Sequence, residues 1–312
     1  MTARLAILCP GQGAQGPAMF DLVRSEPGVW DTAQGWLQAA GGAAAQAPLA
    51  DLLAHPSAMF DNRAAQPLVV AASLAAWSAL APHLPRPALV AGYSVGEISA
   101  CAVAGAFPLD DAVTIAARRA DIMSAAAAAR GDQGMAAVSG LPAGVLADLL
   151  AQTGCEPAIA LPASTVAGGP RDGLALLQAR VLEAGGHVTP LPIDIASHTS
   201  LLQAAVAPLR DLFAAHAAAP ALPLLAGVSA EAVHGAGQVA DALARQAART
   251  IQWTDCLDAI AESRIDVALE LGPGNALTRM LRERHPGIAC RSVADFRSLR
   301  GVLAWIGGQV DG

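Results

Sequence analysis

Leu5-Ala6-Ile7-Leu8-Cys9 is an uninterrupted apolar run stopped by Pro10-Gly11, a pattern that predicts a buried strand feeding a glycine-rich turn. Helical periodicity follows to about Gly41, broken at Pro27-Gly28, and after an alanine-rich stretch the segment from Pro67 to Leu80 predicts a buried helix. Ala88-Leu89-Val90-Ala91 predicts a second strand, which enters a turn at Gly92 and continues as a helix from Ile98 to Ala104. After a break at Gly105 to Pro108, a longer helix is predicted from Leu109 to about Ala129. Asp110 and Asp111 lie in its first turn, where negative charge suits the helix dipole.

The rhythm changes at Gly131-Asp132-Gln133-Gly134. Met135 to Val138 predicts a strand, Pro142 to Gln152 a helix, Glu156 to Ala160 and Ser164 to Ala167 two strands, Asp172 to Ala184 a helix, and His187 to Ile195 a strand. That succession, β-α-β-β-α-β, is the ferredoxin-like order. From Ser197 long helices return, with one apolar strand at Val267 to Leu271 that ends in Gly272-Pro273-Gly274. The expectation is an α/β protein in which a small ferredoxin-like domain, 131–196, is inserted into a large domain built from 1–130 and 197–312.

Composition narrows the chemistry. A chain of 312 residues, 54% hydrophobic and 14% charged, can bury a sizeable core. The longest uncharged apolar stretch, Pro67 to Leu84, is interrupted by Ser73, Ser78 and His83, which favours a core helix over a membrane span. The apolar run at Leu5 to Cys9 is too short for a secretory signal, so a cytoplasmic protein is expected. Cys9, Cys101, Cys155, Cys256 and Cys290 are far apart and form no Cys-x-x-Cys, which predicts core thiols and neither a disulfide framework nor a zinc site. A net charge of −7 gives nucleic acid or an anionic membrane no general reason to bind. All 19 basic residues are arginine, and the absence of lysine excludes a lysine Schiff base, a pyridoxal-phosphate lysine and a Walker phosphate loop. Arg279, Arg282, Arg284, Arg291, Arg297 and Arg300 gather near the C-terminus, as a solvated helix face or as a patch for an acidic partner.

Two glycine motifs compete to explain the chemistry. Gly11-Gln12-Gly13-Ala14-Gln15-Gly16 fits the dinucleotide fingerprint after a strand, but that reading needs a second strand ending in an acidic residue about 20 positions on. The stretch from Met19 to Ala40 is helical in pattern instead. Gly92-Tyr93-Ser94-Val95-Gly96 fits the nucleophile elbow Gly-x-Ser-x-Gly, in which a strained strand-to-helix turn exposes the serine hydroxyl beside N–H groups at the start of a helix. An ordinary glycine-bounded turn would give the same five residues; the strand before and helix after favour the elbow.

Cys9-Pro10-Gly11-Gln12-Gly13-Ala14-Gln15, Gly92-Tyr93-Ser94-Val95-Gly96-Glu97, Arg119, Ser197-His198, Gln252-Trp253 and Glu270-Leu271-Gly272-Pro273-Gly274 together resemble the malonyl-CoA:acyl carrier protein acyltransferases over nearly the whole chain. The resemblance implies an α/β-hydrolase-like core interrupted by a ferredoxin-like subdomain. Within the family, tyrosine before the nucleophile resembles the malonate decarboxylase epsilon subunits, which prime the decarboxylase's acyl carrier subunit, and Tyr93 is the only tyrosine in the chain.

The resemblance further implies a ping-pong reaction. Ser94 attacks the malonyl thioester of coenzyme A with His198 as its base, and the thiol of a phosphopantetheine-type arm on an acyl carrier protein resolves the acyl-enzyme. No tightly bound cofactor or metal is implied. The main-chain carbonyl of Gln252 is expected to orient the imidazole, the backbone N–H groups of Gln12 and Val95 to form the oxyanion hole, and Arg119 to grip the free malonyl carboxylate, with Tyr93 beside the substrate. Arg118 is about 100° away around the helix, so one of the two arginines should face the site. A malonyl transferase of fatty-acid or polyketide synthesis, a serine thioesterase and a non-catalytic carrier-docking module are the alternatives.

Overall fold

The computed structural model describes residues 3–42, 45 and 49–310. The outermost positions of the expected large domain and part of the alanine-rich stretch after Gly41 lie outside the described residues. In chain order the strands are β1 (Leu5–Cys9), β2 (Leu89–Gly92), β3 (Gln133–Ser139), β4 (Glu156–Leu161), β5 (Ser164–Pro170) and β6 (His187–Pro190). β7 (Leu224–Leu225), β8 (Ala232–Val233), β9 (Ile251–Gln252), β10 (Val267–Glu270) and β11 (Ala289–Ser292) follow.

The first sheet runs β11-β10-β1-β2-β7-β8 and is parallel except for the β7–β8 pair. Side chains alternate across a strand, and β1 divides accordingly. Leu5, Ile7 and Cys9 enter one apolar cluster with the helix Asn62–Leu80, whereas Ala6 and Leu8 enter another with Trp253 and Leu257. A parallel sheet covered on both faces needs strands that are apolar at every position, which is why Leu5–Cys9 reads as an unbroken run. The helix Asn62–Leu80 begins where the Asp61 carboxylate accepts from the Arg63 N–H at 2.9 Å. Asn62–His83 is long and apolar enough to cross a membrane, yet it is the core helix, with Leu68, Val69 and Leu74 fully buried. Each such side chain contributes about 1.5–3 kcal/mol through burial.

The second sheet runs β6-β3-β5-β4-β9. Its strands β3 to β6, with the helices Ala143–Thr153 and Arg171–Glu183, follow the β-α-β-β-α-β succession, and their mutual pairings are antiparallel. Val138, Leu146, Leu150, Ala167, Leu177 and Val181 make a small core of their own. The fifth strand, β9, comes from well beyond this segment and pairs in parallel with β4, Ile159 against Ile251 and Ala160 against Gln252.

Several elements depart from expectation. The last strand of the small segment stops at Pro190 and does not reach Ile195, because Pro190 and Pro192 interrupt the ladder donors. Beyond Ser197 the chain holds β7, β8, β9 and β11 in addition to β10. Three of these have two residues each, too few to show a period, and β11 alternates buried Cys290 and Ser292 with more exposed Ala289 and Arg291. Pro27 opens the helix Pro27–Ala40 at its first turn, where a missing N–H costs nothing, so the break falls before it. All five cysteines are buried and free.

Candidate active site

Strand register brings the loops of the site together. Cys9 pairs with Gly92 and Leu8 with Glu270, so the loops leaving β10, β1 and β2 emerge side by side at the C-terminal edge of the first sheet. Ligands gather at this edge in open α/β sheets. These loops are close-packed through glycines. A Cβ on Gly11 would meet the Tyr93 carbonyl oxygen at 2.8 Å, and one on Gly274 would meet the Ala14 Cβ at 2.5 Å. Gly96 faces the carbonyls of Cys9 and Pro10 with no room for a side chain.

Ser94 sits at the apex of the turn with φ 56°, in the left-handed region, a conformation costly for a non-glycine residue and concentrated at functional sites. The strain therefore falls on the serine itself. Gly92 and Gly96 are required by contact instead: a Cβ on Gly92 would lie 2.5 Å from the Gly96 carbonyl carbon. Val95 is the N-cap of the helix Gly96–Val103. The Tyr93 and Ser94 carbonyls accept from the N–H groups of Gly96 and Glu97 at 2.9 and 3.0 Å. The N–H groups of Val95 and Gln12 have no acceptor among the described residues. The loop carrying Gln12 is held by Gln15, whose Oε1 accepts from the Gly13 N–H at 2.6 Å and whose Nε2 donates to the Met59 carbonyl at 3.1 Å.

His198 also adopts a left-handed conformation, φ 66°, and its N–H donates to the Ala247 carbonyl at 2.8 Å. Its Nε2 lies 2.9 Å from Ser94 Oγ, and its Nδ1 lies 2.6 Å from the main-chain oxygen of Gln246. A carbonyl only accepts, so Nδ1 carries the proton and Nε2 presents its lone pair to the serine. The expected orienting carbonyl was that of Gln252, and the structure corrects this assignment. Gln252 lies on β9, and its N–H donates to the Gly227 carbonyl at 2.8 Å. The chain bends between the helix Ala236–Gln246 and β9 so that the earlier glutamine faces the imidazole. Gln252 instead lines, with His198, Ser229, Arg245 and Arg249, a cavity of about 380 Å³.

Arg119 is 1% exposed, whereas Arg118 on the same helix points outward. Its NH1 donates to Gln66 Oε1 at 2.6 Å and its NH2 to Gln246 Oε1 at 2.8 Å. It has no carboxylate partner among the described residues. Burial lowers its pKa to about 10, opposed by the charge of Glu97, so it remains a cation at neutral pH. Burial pulls His198 down to about 3, countered by the Gln246 carbonyl and reinforced by Arg119, which keeps the imidazole neutral and available as a base. Glu97 is 3% exposed, and burial raises it to about 7 against the hydrogen bonds from Gln246 and the Gly227 backbone. Tyr93 packs edge-on against Trp253, ring centroids 5.2 Å apart, and burial pushes its hydroxyl pKa up.

Ser94, His198 and Arg119 thus converge, joined through Gln246. Gln246, Gln66 and the Glu97 carboxylate were not foreseen as site residues. A signal existed: on the helix Ala236–Gln246 the buried face runs Val239, Ala242, Leu243, Gln246, so a lone amide occupies a core position. Of the C-terminal arginines, Arg284 pairs with Asp258 at 2.6 Å, Arg291 lies over Phe296 at 3.9 Å, and Arg297 lines a cavity with Ala14, Gly16 and Gly274. Among the described residues no second strand follows the first glycine loop before β2, which counts against the dinucleotide reading of that loop.

The profile of the acyl transferase domain family matches residues 7–298. The chain belongs to that family and is an acyltransferase. Among curated relatives, the malonyl CoA-acyl carrier protein transacylase of Mycobacterium tuberculosis is 32% identical over 299 residues, covering 93% of this chain and 96% of the relative. That of Salmonella typhimurium is 29% identical over 290 residues, covering 89% and 92%. Among solved structures, the malonyl-CoA:acyl carrier protein transacylase of Xanthomonas oryzae pv. oryzae superposes with a TM-score of 0.88 at 30% identity, over 98% of this chain and 99% of that one.

Proposed function

We propose that this acyltransferase moves malonyl from malonyl-CoA to the thiol of a phosphopantetheine-type arm on an acyl carrier protein. The observation that carries the reading is the buried, carboxylate-free Arg119 beside the Ser94–His198 pair. A guanidinium buried without an ion partner is costly, and the free carboxylate of malonyl, gripped bidentately, supplies the missing charge. Acetyl has no such group.

In the first half-reaction His198 Nε2 takes the Ser94 hydroxyl proton as Oγ attacks the thioester carbonyl. The Val95 and Gln12 N–H groups receive the oxyanion, each such donor being worth about 10²–10³ in rate. Collapse expels the coenzyme A thiolate, to which the imidazolium returns the proton. The second half-reaction is the reverse with the carrier thiol. Binding of malonyl at Arg119 also offsets the positive charge that opposes protonation of His198, so the dicarboxylic substrate makes the base stronger when it is needed. Within this reading, residues 131–196 form a ferredoxin-like insertion in an α/β-hydrolase-like domain made of 1–130 and 197–312; the antiparallel β6-β3-β5-β4 order supports it.

The names of the relatives favour the wider family of carrier-dependent malonyl transfer, as in fatty-acid or polyketide synthesis, over priming of malonate decarboxylase. The narrower reading rests on Tyr93, whose observed role is packing on Trp253.

Intact-mass measurement after mixing with malonyl-CoA or acetyl-CoA tests the reading. A malonyl adduct that disappears in Ser94→Ala, weakens in Arg119→Ala and passes to a holo carrier protein supports it. Release of the adduct to water alone would make the chain a thioesterase, and no adduct at all would sink the proposal.

A further inference from the structure

We infer that Asn62 is a positioning residue for acyl selection: it fixes the direction of the Gln66 amide and, through it, the guanidinium of Arg119, an inference that rests on the malonyl-transfer reading above. Asn62 and Gln66 lie one turn apart on the helix Asn62–Leu80, and Arg119 and Ala120 are neighbours on the helix Leu109–Ala128. Together they close a ring between the two helices. Arg119 NH1 donates to Gln66 Oε1 at 2.6 Å, Gln66 Nε2 to Asn62 Oδ1 at 2.7 Å, and Asn62 Nδ2 to the Ala120 main-chain oxygen at 3.1 Å. Asn62 Nδ2 also donates to Ser124 Oγ at 3.0 Å, which uses its second hydrogen.

The two ends of this ring decide its direction. A guanidinium can only donate and a main-chain carbonyl can only accept, so the two amides between them fit in one orientation. A flipped Asn62 would set its oxygen against the Ala120 oxygen, and a flipped Gln66 would aim its hydrogens at the guanidinium. Amides joined head to tail polarise one another, which enriches Gln66 Oε1 in negative charge where it meets the cation. Arg119 is thus steadied by a neutral oxygen, whereas a protein carboxylate in the same place would occupy the fork that the substrate needs. Gln66 is 2% exposed, and the other contact of its Nε2 is the Met123 sulfur at 3.8 Å, a weak acceptor. Without Asn62 the Gln66 amide loses the partner that tells its two ends apart. Asn62 itself is half-buried and lines a cavity of about 510 Å³ with Gln12 and Ser124, so a side chain exchanged there has open space on one side.

The test follows loading of the full-length protein by malonyl-CoA and by acetyl-CoA. Asn62→Leu frees the Gln66 amide by removing one neutral hydrogen bond, so the malonyl-to-acetyl ratio of kcat/KM should fall by about two- to tenfold. The fall should come from a higher half-saturating concentration of malonyl-CoA at an unchanged limiting rate, because Arg119 grips the acyl group before and during reaction alike. Acetyl-CoA, with no carboxylate to offer, should be affected less. Asn62→Ser is too short to reach Gln66 and should lower the ratio in the same way; it keeps a polar residue in the first turn of the helix and carries the test if leucine prevents folding. Gln66→Leu should itself lower the ratio by about ten- to a hundredfold, the scale of a lost hydrogen bond to a charged group. Adding Asn62→Leu to it should change the ratio no further, since the route to the arginine is already gone. A native ratio in a folded Asn62 variant, an equal fall for both substrates, or additive losses in the double variant overturns the inference while malonyl loading by the native protein stands. Failure of the native protein to load malonyl removes the underlying reading as well.

Discussion

Gly96→Ala probes whether the nucleophile turn depends on its contact with β1 and the first glycine loop. A Cβ at this position would lie 2.5 Å from the Pro10 oxygen and 2.7 Å from the Cys9 carbonyl carbon, and nearer still to the Cys9 oxygen. All of these are main-chain atoms, so no side-chain rotation relieves the clash. The helix Gly96–Val103 and the turn before it have to retreat by about 1 Å to restore ordinary contact. Overpacking of this kind costs about 1–3 kcal/mol, equivalent to a fall of roughly 2–5 °C in the melting midpoint of a chain this size. The catalytic effect should be larger in proportion. A displacement of about 1 Å between reacting groups can cost about a hundredfold, and here it parts Ser94 from His198, now 2.9 Å away, and moves the Val95 N–H. Thermal melts and the initial rate of malonyl loading, followed by intact mass, are the assays. A Gly96→Ala protein that loads at the native rate with an unchanged midpoint would refute the packing argument and the role assigned to the turn.

Gln252→Ala should load malonyl within about twofold of the native protein, since its carbonyl does not hold the base; a loss of about a hundredfold by the same measurement would return the orienting role to Gln252. The pH dependence of stability has two opposed parts. Burial holds His198 at about 3 against 6.5 in the unfolded chain, so below pH 6.5 the unfolded chain takes up a proton that the folded one refuses, and stability falls as pH drops toward 3. Glu97, raised from 4.5 to about 7, gives a contribution that is full below pH 4.5 and lost as pH rises through 7. Glu97→Gln should therefore remove the opposing fall between about pH 4.5 and pH 7, so that stability rises with pH more steeply there than in the native protein, read from denaturant melts at each pH, and an unchanged slope would show that Glu97 ionises normally in the folded protein.

The elements with a clear period were legible in the sequence. Leu5–Cys9, Leu89–Gly92 and the succession from β3 to the helix Arg171–Glu183 all carry enough residues for an alternation, an apolar run or a helical stripe to show. The two-residue strands were not legible, because they owe their pairing to tertiary placement. Ser94 could be named because it stands in a short motif, and His198, one of seven histidines, because Ser197-His198 carries the family resemblance. The carbonyl that orients His198 could not, since any residue can offer one and the choice between Gln246 and Gln252, with five residues between them, is made by a bend in the chain, not by side-chain chemistry. Glu97 was visible as a letter in the motif, but its partnership with an amide 149 positions away is a product of the fold.

Strand β9 bears on how this protein can be taken apart. The chain leaves the segment that forms β3 to β6, builds two helices and two strands of the other sheet, and then returns to lace Ile251–Gln252 along β4, with Thr250 Oγ1 donating to the Pro157 carbonyl at 2.6 Å and Thr254 Oγ1 to the Ala160 carbonyl at 3.3 Å. That segment is thus continuous in sequence but tied to the rest of the chain by a distant stitch. A chimera that exchanges residues 133–190 with a relative's segment would meet a foreign seam at β9, five residues after the glutamine that steers the base. Transplants of the segment have to carry residues 250–254 with them.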